Sequence, residues 1–189
     1  MLDVQLKEQT RQEHLQLEKK LISRISEVDT VTDYVDLLAV LYGYYGAVEN
    51  VLADYFRDTP AIHFHERRKA ARLLGDIAIY SPSHPTPRLC SRVPHIASFY
   101  SALGVMYVLE GSTLGGQIIA KLISRKLNVA SGLNFFLSYG NDVERMWASF
   151  KDLLRKPYTS AQQTEAVAGA KQTFQTFNSW LSEHEQIKL

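Results

Sequence analysis

The chain has 189 residues, 46% apolar and 22% charged, which is enough to bury a core as one domain and argues against a disordered chain. Its 21 Lys and Arg stand against 20 Asp and Glu, so there is no excess field to hold nucleic acid or an anionic membrane surface. A single cysteine, Cys90, excludes an internal disulfide and a cysteine-built zinc site, and it suits a reducing, cytoplasmic setting.

Helical spacing dominates, and no sustained period-two alternation bounded by hairpin turns occurs. The N-terminal segment is charged from residue 3 and lacks the apolar run of a signal peptide. It reads as one helix from Val4 to Ser26, with Leu6, Thr10, His14, Leu17, Leu21 and Ile25 on a single stripe. "TVTD" at Thr30–Asp33 has the form of a helix start and opens an aromatic-rich helix running to Phe56. "TPAIHFHERRKAARLLGDIAIY" predicts a shorter third helix that ends at Tyr80. The segment 81–94, "SPSHPTPRLCSRVP", holds four prolines and reads as an extended loop. A long apolar segment follows from His95 to Leu127. "NDVE" at Asn141 then predicts a capped helix ending at Arg155–Pro157, and "SAQQ" at Ser160 caps a last amphipathic helix to Glu185. No repeat or linker divides the chain, so residues 1–189 read as a single all-α domain, a bundle of about six or seven helices.

Within the apolar segment, "YVLEGSTLGGQIIAKLI" concentrates Gly111, Gly115 and Gly116. Each glycine inside a helix costs about 0.5–1 kcal/mol relative to alanine. Close helix packing is one explanation. The other is a main chain that must approach a flat ligand, with a kink at Gly115–Gly116. Glu110, Gln117 and Lys121 interrupt the segment and argue against a membrane span. A phosphate-binding loop would need a preceding strand, which is absent.

This stretch resembles the distal helix of the heme oxygenases, particularly the bacterial branch with its E-G-S-x-L-G core. The resemblance implies an all-α heme oxygenase-like bundle in which a glycine-kinked helix lies across one face of heme. Gly111, Gly115 and Gly116 are then heme-contacting positions, with Gly111, Ser112 and Gly115 at the reacting face. "LKEQTRQEHLQLEKKL" is similar to the family's proximal segment and makes His14 the iron ligand. Lys7 precedes His14 by seven residues, roughly 10 Å along a helix, the spacing of a family lysine that pairs with a heme propionate. Tyr107 and Lys171 resemble further propionate-binding positions. Mammalian members carry an aspartate where Ser112 stands, which puts the proton route in question.

The implied activity is cleavage of heme, substrate and cofactor together, at a meso carbon to biliverdin, carbon monoxide and ferrous iron. It would use O2 and an external electron donor of the ferredoxin or reductase type. Two other readings stand beside it: a heme-binding or heme-sensing protein without turnover, and a non-heme bundle such as a thiamine-degrading relative. His63 and His65 sit two apart and would need outside ligands to hold a metal. Cys90 lacks an evident partner base, and isolated Glu110, Glu144 and Glu13 read as solvated or capping. "ERRKAAR" (66–72) reads as a solvated helix face or a landing site for an acidic electron donor.

Overall fold

The N-terminal stripe folds as two helices, α1 (Leu2–Gln9) and α2 (Arg11–Ser26), where one was expected. Thr10 parts them. It is buried, its hydroxyl donates to the Leu6 carbonyl at 2.6 Å, and its backbone leaves helical geometry at φ −107°, ψ 8°. The computed structural model describes residues 1–56 and 62–184, and no strand occurs among them.

α3 (Val31–Phe56) opens on the expected reciprocal cap. Thr30 Oγ1 accepts from the Asp33 amide at 3.1 Å, and the Asp33 carboxylate accepts from the Thr30 amide at 2.9 Å. The helix is apolar on most sides because it runs through the core. Tyr44 stacks on Phe177 with ring centres 4.3 Å apart and donates to the Thr173 carbonyl.

The third predicted helix is shorter than expected. Its start, Thr59 to Ala61, lies outside the described residues. Residues 62–70 form a 3-10 turn at Phe64–Glu66 behind a left-handed His63 (φ 49°), and only α4 (Ala71–Tyr80) is α-helical. The buried Asp76 on α4 accepts from the amides of Asn134 and Phe135 at 3.0 and 2.8 Å. It thereby caps the short α7 (Asn134–Leu137) and fixes it against α4.

The long apolar segment is divided at Ser112 into α5 (Phe99–Gly111) and α6 (Thr113–Leu127). The expected break at Gly115–Gly116 is not where the helix parts, and both glycines lie within α6. α8 (Val143–Leu154) lacks the predicted Asn141 cap: a 3-10 turn at Gly140–Asp142 precedes it, and the Asp142 carboxylate pairs with Arg145. α9 (Ser160–Glu183) is capped by Thr159 and Gln162, one residue earlier than predicted, and its expected end at Glu185 lies outside the described residues.

α5 and α9 cross with their backbones in contact. A Cβ on Gly104 would lie 1.8 Å from the Ala166 carbonyl oxygen, and one on Gly169 would lie 2.3 Å from the Ser101 carbonyl oxygen. Each glycine therefore admits the other helix. The crossing holds the start of α5 firmly and aims its C-terminal end, Tyr107 to Gly111, at the site.

Candidate functional site

A cavity of about 890 Å³ opens between α2 and α6, closed behind by aromatic side chains of α3, α7, α8 and α9. Its size fits a cofactor-sized molecule. The α2 wall carries His14, Leu17, Leu21, Ile22 and Ile25. The α6 wall carries Leu114, Gly115, Ile118, Ile119 and Leu122. Leu114, Ile118 and Leu122, spaced at i, i+4 and i+8, are all exposed, as is Ile22. An apolar row left wet on a cleft wall is the kind of surface that another molecule covers.

His14 stands on the α2 wall with its side chain 59% exposed, although Leu17 one turn on is buried. The Phe174 ring meets it edge-on at 5.7 Å. Nδ1 lies 3.9 Å from a Glu18 carboxylate oxygen, one helical turn away. A hydrogen bond from Nδ1 to this carboxylate would leave Nε2 as the nitrogen with an open lone pair.

The glycines serve different ends. A Cβ on Gly115 would meet nothing within 4 Å, and one on Gly111 would touch only Trp147 at 3.9 Å; both residues border the cavity. Gly116 does not border it. A Cβ there would fall 2.1 Å from the Phe136 carbonyl oxygen, so this glycine admits the α7 backbone. Gly115 has no packing reason to be glycine, since a Cβ there would meet open space on the cavity wall. Gly115→Ala is expected to stabilise the ligand-free fold by about 0.5–1 kcal/mol while weakening ligand binding. Thermal unfolding and a hemin titration check the two arms, and unchanged affinity would return Gly115 to accident.

A polar cluster backs the α5–α6 junction. Arg67 and Glu110 form an ion pair at 3.1 Å with side chains only 2% and 3% exposed. Arg67 also donates to the Met146 carbonyl at 2.9 Å, and the Tyr139 hydroxyl donates to the Glu110 carboxylate at 3.0 Å. Burial pushes the Glu110 carboxyl up against the opposing pull of Arg67, and it pushes the Tyr139 phenol up as well. Arg68 borders the cavity and donates to Ser112 Oγ at 2.6 Å. Arg72 donates to the Ser138 carbonyl, and Lys69 lies 3.5 Å from Glu49.

These contacts correct two expectations. "ERRKAAR" is not a solvated face, because four of its cations are committed to the fold. Glu110 is not solvated, because its partner is a buried arginine 43 residues away.

The remaining predicted residues divide. Tyr107 and Ser112 border the cavity, with Tyr107 packed 5.7 Å from the Trp147 ring and its phenol raised by burial. Lys7, exposed on α1 beyond the Thr10 break, and Lys171, half-buried on α9, do not border it. No group of His, Cys, Asp and Glu among the described residues is arranged to hold a metal ion, His63 and His65 included. Cys90 is buried and its thiol is raised by burial, against a nucleophilic role. No described helix is long and apolar enough to cross a membrane.

The heme oxygenase family model matches residues 1–183. The chain belongs to the heme oxygenase family. Membership makes it a heme-degrading oxidoreductase. A relative named heme oxygenase from Xanthomonas campestris pv. campestris is 27% identical over 136 residues, 71% of this chain and 79% of that protein. Heme oxygenase structures share the fold. That from Leptospira interrogans has a TM-score of 0.77 at 20% identity and covers 96% of this chain and 98% of its own. The NO- and CO-bound enzyme from Neisseria meningitidis has a TM-score of 0.79 at 20% identity, covering 97% and 91%. The enzyme from the cyanobacterium Synechocystis, solved in complex with heme, has a TM-score of 0.79 at 21% identity, covering 97% and 92%.

Proposed function

We propose that this family member cleaves heme at a meso carbon to biliverdin, carbon monoxide and ferrous iron, with O2 and electrons from an external ferredoxin- or reductase-type donor. The observation that carries the reading is one apolar cavity bordered by an open imidazole, His14, and by glycines whose missing side chains nothing else fills. Heme fits this donor set: a neutral nitrogen ligand, a flat apolar slot and a main-chain ceiling. When bound, heme supplies the iron that activates O2 and the ring that is oxidised.

His14 Nε2 would hold the iron, with Glu18 orienting the ring through Nδ1. The α2 and α6 aliphatic side chains that line the cavity would cover the macrocycle and exclude water from it. Gly111 and Gly115, which border the cavity with open space where a side chain would stand, would let the α5–α6 main chain come close to a flat ligand. Tyr107, which borders the cavity, would pair with a propionate. Lys7 and Lys171 stand outside it and would reach the propionates with their flexible stems. The single buried cysteine suits a cytoplasmic enzyme.

The test is an optical spectrum of the purified protein with one equivalent of hemin, followed in air as ascorbate is added. A Soret band that decays while a biliverdin band grows supports the reading. A Soret band that persists makes the chain a heme binder without turnover, and no Soret change removes heme altogether.

A further inference from the structure

Ser112 borders the cavity, but its hydroxyl has a single proton, and that proton is spent on the Leu109 carbonyl at 2.7 Å. In this arrangement Ser112 donates nothing into the cavity. Arg68 has the donors that Ser112 lacks. Its Nη2 gives hydrogen bonds to Ser112 Oγ at 2.6 Å and to the Leu109 carbonyl at 3.1 Å, while Nε–H and the Nη1 hydrogens have no acceptor among the described residues.

The guanidinium is held in place. It lies 4.1 Å from the Phe135 ring centre and 5.1 Å from that of Tyr45, and both rings border the same cavity. The Arg68 amide donates to the Tyr139 hydroxyl at 2.6 Å, which ties the residue to the buried Arg67–Glu110 pair. Arg68 also borders a second chamber of about 10 Å³, the size of one water, whose polar lining includes Glu49, Arg67 and Glu110. One fixed cation thus touches both the substrate cavity and a polar chamber behind it.

We propose that Arg68 is the hydrogen-bond donor to whatever binds on the distal face of the substrate, with Ser112 as the acceptor that clamps it. The assignment rests on the heme reading above. It makes the distal donor a permanently charged side chain from the segment before α4, rather than a residue of the α5–α6 segment itself.

Fluoride is the probe, because on ferric heme it accepts hydrogen bonds and has no proton to give. Optical fluoride titrations of the hemin complexes of the parent protein, R68M and S112A decide the matter. The expected result is a loss of fluoride affinity of about tenfold or more in R68M, the effect of one charge-assisted hydrogen bond, and a change of less than about threefold in S112A. Hemin affinity, which the distal donor does not set, is expected to move little in either and controls for damage to the pocket. If R68M does not fold, R68Q keeps the polar contacts while removing the charge, and a loss of about threefold or more is expected there. A hemin complex whose fluoride affinity stays put in R68M or R68Q overturns the assignment, as does an S112A loss as large as that of R68M. Failure of the parent to form a hemin complex overturns the heme reading, and this assignment with it.

Discussion

His14→Ala is expected to lower hemin affinity by about tenfold or more, to replace the Soret band with that of a weakly ligated hemin, and to abolish pigment formation. The α2 and α6 walls survive the change, so the macrocycle still partitions into the apolar slot. What is lost is the only imidazole bordering the cavity among the described residues. Added imidazole is expected to restore the parent spectrum, since the truncated side chain leaves a hole of its shape. Glu18→Gln is the graded partner: ring orientation suffers while the ligand remains, so affinity falls by less than in His14→Ala. Optical titration reads all three. A parent-like Soret band in His14→Ala without imidazole would remove the histidine from iron.

Glu110→Ala is expected to have the largest effect on the fold. It leaves the Arg67 guanidinium buried without its carboxylate and takes the acceptor from the Tyr139 hydroxyl. Breaking a buried pair on one side costs about 3–5 kcal/mol. For a chain of this size that lowers the melting temperature on the order of 10 °C. The double replacement Glu110→Leu with Arg67→Met removes both charges and is expected to regain most of the loss. Thermal unfolding of the single and double variants separates the two cases. A single variant as stable as the parent would mean that water reaches Arg67 and the pair is not a buried one.

The features legible in the sequence were local ones. His14 on an apolar stripe and the E-G-S-x-L-G stretch each lie within a few turns of one helix, so spacing and residue type display them directly. The helix starts at Thr30 and near Ser160 were legible for the same reason. Arg68 was not, because the Ser112 hydroxyl that gives it meaning lies 44 residues along the chain. Glu110 looked isolated because its cation comes from a segment that the sequence presented as charged and solvent-facing. The glycines were legible as a group but not individually. Gly104, Gly111, Gly115 and Gly116 sit in one apolar run, and only the position of α7 and α9 tells which two make room for protein and which two border the cavity. The Thr10 break was hidden because a buried threonine on a helical stripe looks like any other stripe position until its hydroxyl is seen bonding back to Leu6.

The wet apolar row on α6 has a consequence for the life of the protein in a cell. Leu114, Ile118 and Leu122 are 45%, 66% and 53% exposed, so a chain without its flat partner carries a greasy flank open to aggregation and proteases. A ligand that covers that flank is expected to add about 2.7 kcal/mol of stability at a concentration a hundredfold above Kd. The lifetime of the folded chain is therefore expected to shorten when hemin is withheld, which proteolysis with and without hemin would check.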